Sequence, residues 1–237
     1  MKIYITGDSH TAALKLGLDE LMLTNEMHPA HSVEVAMLAG ANSFSSPYFK
    51  DMGEFAEFRT RKSSKRIRRL PFSDEDGHYD YYGICEPLHA SRLWRFRSNW
   101  VNHHPFTRKD GLAPVSESLL RHVILREQAY NLQLVELLKR VHAKVFVIEA
   151  PKPYRHRESV QQTGFGEVSY IDNFYKNIIR GRLQENDIPF INVPSVCYDA
   201  EGFMYDEFKS ERQGDSLHAN KSFGKIMIKE IIRLLDS

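Results

Sequence analysis

The sequence predicts an α/β fold of three layers, a sheet sandwiched between two layers of helices. Short apolar runs rich in Val, Ile, Phe and Tyr alternate along the chain with longer stretches whose apolar residues recur at helical spacing. Strands separated by helices pair in parallel through right-handed crossovers, which places helices on both faces of the sheet. In such a sheet ligands bind beyond the carboxyl ends of the strands. Residues that follow the predicted strands are therefore the ones to inspect for chemistry.

Residues 2–6 (Lys2-Ile3-Tyr4-Ile5-Thr6) read as the first strand, and 10–23 as a helix with Leu14, Leu18, Leu21 and Met22 on one face. A second strand covers 32–39 and stops at Gly40. A third, Tyr79 to Ile84, is rich in tyrosine and ends near Gly83. Over 115–141, Leu119, Leu120, Val123, Ile124, Leu134, Val135 and Leu138 keep helical spacing, with Pro114 or Ser116 at the start. Lys144 to Ala150 is a buried-type strand stopped by Pro151 and Pro153. A helix over 167–186, a strand over 189–193 and a closing helix over 219–235 complete the pattern. All of this fits one domain spanning 1–237, with insertions at 44–78 and 94–113, where no period holds.

Composition narrows the function classes. A formal net charge of +1 supplies no field that would gather nucleic acid or an anionic membrane. The one strong charge run, Arg59 to Arg69, reads as a solvated loop or a patch for an anionic substrate or carrier. Nucleic acid is the less favoured partner. No apolar run approaches the roughly 18 residues of a membrane span. Met1-Lys2-Ile3-Tyr4 enters the first strand without a secretory leader, so a cytoplasmic protein is expected. Cys85 and Cys197 are too few for a disulfide framework and read as free thiols. The histidines lack metal-ligand spacing: His103 and His104 are adjacent, and His28 and His31 flank a turn. Neither metal nor cofactor is expected.

Two short motifs carry chemistry. Gly7-Asp8-Ser9-His10 follows the first strand in a tight turn, and Asp215-Ser216-Leu217-His218 precedes the last helix. A hydroxyl nucleophile needs a base to take its proton, and the base needs an acid to orient it. Ser9, His218 and Asp215 are the candidates for those roles. Taken alone, Ser9 would read as an N-cap of the first helix, and Asp215 and His218 as caps of the last. The opposite-end pairing favours the catalytic reading. Asp8 is expected to hold its turn through backbone hydrogen bonds.

In type, order and chain position these motifs resemble the SGNH/GDSL hydrolase family, with Asn220 and Gly224 adding to the likeness. Gly214-Asp215-Ser216-Leu217 spells the family's name at the wrong end of the chain, and Ser216 is only a spacer. The resemblance implies a central, mainly parallel, five-stranded flavodoxin-like sheet. It also implies an oxyanion hole built from the Ser9 N–H, the Gly40 N–H after the second strand, and an asparagine after the third. Where that asparagine should stand, Gly83-Ile84-Cys85-Glu86 offers Cys85, a poor donor. Either Asn42 or His89 supplies the donor from a neighbouring position, or the site has drifted from ordinary ester hydrolysis; His10, His89 and Trp94 are the candidates for contacting substrate. The expected activity is hydrolysis of an O-acyl ester, notably acetyl, on a small-molecule or carbohydrate substrate. The alternatives are an O-acyltransferase acting on a cell-surface polysaccharide or sugar, and a non-catalytic carbohydrate- or partner-binding domain using the aromatics around Trp94 and Trp100.

Overall fold

The computed structural model describes residues 1–59, 67–73, 77–95, 103–104, 111 and 113–236. Its central sheet has five parallel strands: β1 (Lys2–Gly7), β2 (Ser32–Met37), β6 (Tyr81–Cys85), β9 (Val145–Ile148) and β10 (Phe190–Ile191). They lie in the order β10-β9-β6-β1-β2, so the first strand is internal and the chain winds outward in both directions. The predicted doubly wound, flavodoxin-like sheet is the one observed.

Alternation along each strand builds two cores. Ile3 and Ile5 of β1, with Phe146 and Ile148 of β9, point to the face covered by α1 (Thr11–Leu23) and α7 (Lys221–Leu235). Tyr4, Val145 and Val147 point to the other face. Covering that face are α2 (Ser91–Arg95), α3 (Glu117–Glu127), α4 (Ala129–Arg140), α5 (Glu158–Thr163) and α6 (Phe165–Glu185). Strands buried on both sides explain the near-continuous apolar runs in the sequence.

Three expectations change. The third predicted strand does not stop at Gly83 but runs to Cys85, with Gly83 paired to Phe146 inside the ladder. Gly83 is needed there because a Cβ would stand 2.7 Å from the Phe146 ring. The helix predicted over 115–141 is two helices meeting at Gln128, although the apolar spacing continues across the break. Gln128 is fully buried, and its side chain accepts from Asn131, which in turn accepts from Tyr48. The segment 44–78 carries a small antiparallel sheet of β3 (Phe49–Asp51), β4 (Ala56–Phe58) and β5 (Arg69–Leu70), with Phe58 of β4 buried alongside Phe44 and Tyr48.

In the second insertion, β7 (His103–His104) pairs with β8 (Ala113–Pro114). Most of the basic run, the acidic Asp74-Glu75-Asp76 and Trp100 lie outside the described residues. Among those described, no helix is long and apolar enough to cross a membrane. Cys85 and Cys197 are both buried free thiols.

Candidate active site

The functional candidates gather at the carboxyl ends of the strands, beginning with the turn after β1. Gly7 is extended at φ 153°, and a Cβ there would lie 2.8 Å from the Cβ of Cys85 on the neighbouring strand. The main chain then bends. The Asp8 carbonyl accepts the Thr11 N–H at 3.2 Å, and the Ser9 carbonyl accepts the Ala12 N–H at 3.1 Å. This nucleates α1 without a side-chain cap. Ser9 therefore does not serve as the capping group of that helix. Its hydroxyl lies 2.8 Å from His218 Nε2, across a sequence separation of 209.

His218 belongs to the turn before α7. Its Nδ1 is 2.9 Å from Asp215 Oδ2 and 3.0 Å from Oδ1. The same carboxylate accepts the backbone N–H groups of Leu217 (3.0 Å) and His218 (3.1 Å). Burial works against ionising Asp215, but these donors and the imidazole outweigh it and hold the carboxyl down to about 2. An ionised Asp215 assigns the Nδ1 proton to His218, leaving Nε2 as the acceptor that faces Ser9. Asn220 caps α7 by accepting the Phe223 N–H at 3.2 Å and donates to the Glu207 carbonyl at 2.7 Å, fixing the turn from below.

Several solved structures share this architecture at low identity. An acetyl xylan esterase, AlAXEase, matches with a TM-score of 0.51 over 99% of this chain and 100% of its own, at 16% identity. The psychrotrophic esterase EstA from Pseudoalteromonas sp. matches at 0.51, covering 100% of this chain and 99% of its own, with 14% identity. A GDSL-like lipase from Bacteroides thetaiotaomicron VPI-5482 matches at 0.50 over 99% and 88%, with 10% identity. The fold is that of the SGNH/GDSL hydrolases. No protein-family model and no curated protein matches the chain.

Within this SGNH fold, the loop after β2 is hydrogen-bonded to the end of β1, since the Gly7 carbonyl accepts from the N–H of Leu38 (2.8 Å) and Ala39 (3.4 Å). Gly40 comes next, at φ −71° with open space where a Cβ would be, so its conformation does not require glycine. Among the described residues neither the Ser9 N–H nor the Gly40 N–H has a hydrogen-bond partner within the protein. Asn42 is exposed on the short 3-10 turn Ala41–Ser43. Arg92 clamps that turn by donating to the Ala41 carbonyl at 2.6 Å.

The remaining sequence candidates fall elsewhere. Cys85 is 3% exposed and packs in the apolar core with Ile3, Ile5 and Phe146, on the face covered by α1 and α7. Burial, with Asp8 and Glu86 nearby, pushes its thiol well above the ordinary range, so it is not a thiolate, and its packing in the core turns it away from an oxyanion. Trp94 is 1% exposed, with Arg157 stacked over its ring at 4.8 Å. It is not a surface platform, but it lines a small enclosed cavity that His10 and His89 also line. His89 cannot replace the missing asparagine, because both its ring nitrogens are engaged. Nδ1 is 2.9 Å from Asp8 Oδ2, while Nε2 is 2.6 Å from Ser91 Oγ and 3.2 Å from His10 Nε2.

This chain of contacts escapes sequence reading. Asp8 is fully buried, binds the His10 N–H and His89, and is held well below the ordinary carboxylate range by His10 and His89 against the cost of burial. Burial lowers the His10 imidazole, with His89 and His218 adding to the effect against the pull of Asp8, so His10 is neutral beside His218. Its ring centre is 5.2 Å from that of His218, where a second cation would oppose an imidazolium. Asp8, His10 and His89 each bring one donor atom within 4.8 Å of the others, the described residues' nearest approach to a metal-ligand set. The hydrogen bonds above satisfy those atoms among themselves, apart from His10 Nδ1.

Glu86 ends the network. It is 1% exposed, lies against Asp8, and reaches Arg92 only at 3.4 Å, while Arg92 bonds Glu127 at 2.8 Å. Burial, then the Asp8 charge, pushes its carboxyl well above the ordinary range. A raised folded-state value means that Glu86 binds a proton which the unfolded chain releases near pH 4.5. The contribution of Glu86 to stability is then greatest below that pH and declines as pH rises toward the folded value. Glu86→Gln cannot ionise. Thermal melts are expected to show the variant matching the parent at acidic pH but exceeding it at alkaline pH, by roughly 2–4 °C per kcal/mol gained. Equal melting temperatures at both ends would mean that Glu86 is ionised in the fold.

Proposed function

We propose that this chain is a serine-dependent ester hydrolase that removes a small O-acyl group, best an acetyl, through Ser9, His218 and Asp215. The observation that carries the reading is the continuous relay Ser9 Oγ–His218 Nε2 (2.8 Å) and His218 Nδ1–Asp215 (2.9 Å) at the carboxyl ends of the strands. His218 Nε2 accepts the hydroxyl proton as Ser9 Oγ attacks the ester carbonyl. Asp215, ionised across the working pH range, offsets the imidazolium charge that results. The free N–H groups of Ser9 and Gly40 are the donors for the oxyanion, a role whose loss costs about 10²–10³ in rate per donor. Collapse of the tetrahedral intermediate breaks the ester C–O bond, and His218 returns its proton to the leaving alcohol. Water, activated by the same imidazole, then cleaves the acyl-enzyme. A sugar hydroxyl in place of that water would make the chain an acyltransferase with the same first half-reaction.

The enclosed cavity beside His10 has room for about one water-sized group, which favours a small acyl group; Leu88, Ala90 and Trp94 line it together with the polar His89, Ser91 and Lys152. The esterases of like fold include an acetyl xylan esterase and one structure inhibited by monoethylphosphonate. Incubation with a fluorophosphonate, followed by mass mapping, is expected to place one adduct on Ser9 and to abolish p-nitrophenyl acetate hydrolysis. The C4 and C8 p-nitrophenyl esters are expected to turn over progressively more slowly. Labelling elsewhere, or labelling without loss of hydrolysis, would remove Ser9 from the mechanism.

A further inference from the structure

A large groove lies apart from Ser9, Asp215 and His218. With a volume of about 1020 Å³, it runs along α6 beside the edge strand β10 and the segment 192–202. Beneath it lies a buried ionic cluster. Glu149, 2% exposed, follows β9 and meets Lys176 at 2.9 Å, Arg180 at 3.2 Å and Lys152 at 3.6 Å. Lys176 also pairs with Asp172 at 2.7 Å. Glu149 Oε2 further accepts the Val193 N–H at 2.8 Å, tying the cluster to the groove wall.

Three cations thus share two carboxylates, and a buried charge without its counter-charge is costly. The surplus falls on Lys152, whose separation from Glu149 exceeds hydrogen-bond length and whose ammonium sits 4.6 Å over the Tyr198 ring. Lys152 is 7% exposed and lines the groove, as does Arg180, whose Nε is buried without a partner. Both cations flank the same carboxylate, so one incoming anion could meet both. Glu201 also borders the groove, but it is 68% exposed and already paired with Arg155 at 3.1 Å.

The walls add a second chemistry. Phe165, Phe174 and Tyr198 line the open groove with ring surface, and Asn173, Asn177 and Asn192 supply exposed carboxamides. Ring faces take the C–H face of a pyranose, amides match hydroxyls in both donor and acceptor sense, and the under-compensated cations match a carboxylate.

We propose that this groove binds an acidic oligosaccharide, seating a uronate carboxylate against Lys152 and Arg180 and a sugar face on the aromatic wall. Lys152 also lines the small cavity beside His10, so it forms a common wall between the groove and the acyl end of the candidate active site. The binding claim does not depend on hydrolysis, and the experiment keeps the two apart by using the Ser9→Ala protein.

Calorimetric titration of Ser9→Ala with trigalacturonate is expected to show saturable binding that weakens with added salt, while xylotriose binds about tenfold more weakly or not at all. Lys152→Gln is expected to reduce trigalacturonate affinity about tenfold. Because that residue is packed, Asn177→Asp serves as the second variant. It sets a repelling charge on the exposed wall and is expected to weaken binding of the acidic sugar without disturbing the packed cluster beneath. No binding of trigalacturonate at millimolar concentration would overturn the proposal. So would equal affinity for xylotriose, tighter binding of a tri-glutamate peptide, or indifference to both substitutions.

Discussion

Ser9→Ala and His218→Ala are each expected to lower kcat for p-nitrophenyl acetate by roughly 10⁴–10⁶-fold, and the double variant by no more than the worse single one. The non-additivity follows from the geometry. The Ser9 hydroxyl is useful only while His218 Nε2, 2.8 Å away, can take its proton, and without Ser9 no acyl-enzyme forms for the imidazole to act on in the second half-reaction. Removing either partner removes the same step. Asp215→Asn should cost about 10⁴-fold, because a carboxamide can donate to Nδ1 and turn the imidazole into the wrong tautomer. The residual rate in each variant belongs to the oxyanion donors and to binding. Steady-state kinetics on the three single variants and the Ser9→Ala/His218→Ala double variant check this directly. Additive losses would mean that the two side chains act in separate steps, and the relay would then be structural.

Most of this site was legible in the sequence because its parts lie in two short local motifs, each tied to a recognisable strand end or helix start. Ser9 follows an unmistakable apolar strand, and Asp215 and His218 are separated by a single tight turn. Cys85 was misread for a reason of register. Gly83 looks like a strand terminator, but Phe146 on β9 demands a small residue inside the ladder, so β6 runs on to Cys85. That extension turns Cys85 into the core beneath α1 and α7. The chain from Asp8 through His89 to Ser91 joins residues some 80 positions apart, and nothing local to His89 announces its partner. The ionic cluster was partly visible, since Asp172, Lys176 and Arg180 recur every four residues on α6. Its meaning depended on Glu149, which only the sheet brings alongside.

Gly224→Ala is expected to destabilise the protein by about 3 kcal/mol or more, which for a chain of this length lowers Tm by roughly 6–12 °C. The cause is the crossing of α1 and α7. A Cβ on Gly224 would overlap the Ala13 carbonyl oxygen, and a Cβ on Gly17 would overlap the backbone of Gly224. Both neighbours are main chain within helices, so no rotamer change relieves either clash, and the helices must separate. A helix glycine ordinarily costs about 1 kcal/mol relative to alanine, so retaining two at this crossing marks a packing requirement. Gly181 in α6 is the control, because nothing lies within 4 Å of its would-be Cβ. Gly181→Ala should therefore stabilise by about 0.5–1 kcal/mol. The two alanine substitutions, alike in propensity, are expected to move Tm in opposite directions.

The crossing also matters for chemistry. The chain entering α1 carries Ser9 and the turn entering α7 carries Asp215 and His218, so the Gly17–Gly224 contact bears on the spacing between Ser9 and His218. A displacement of about 1 Å at reacting groups can cost 10²-fold in rate. Folded Gly224→Ala protein, assayed well below its Tm, should therefore lose about two orders of magnitude in kcat. Full activity in a destabilised variant would show that the two helix starts are held by their own turns and not by the helix pair.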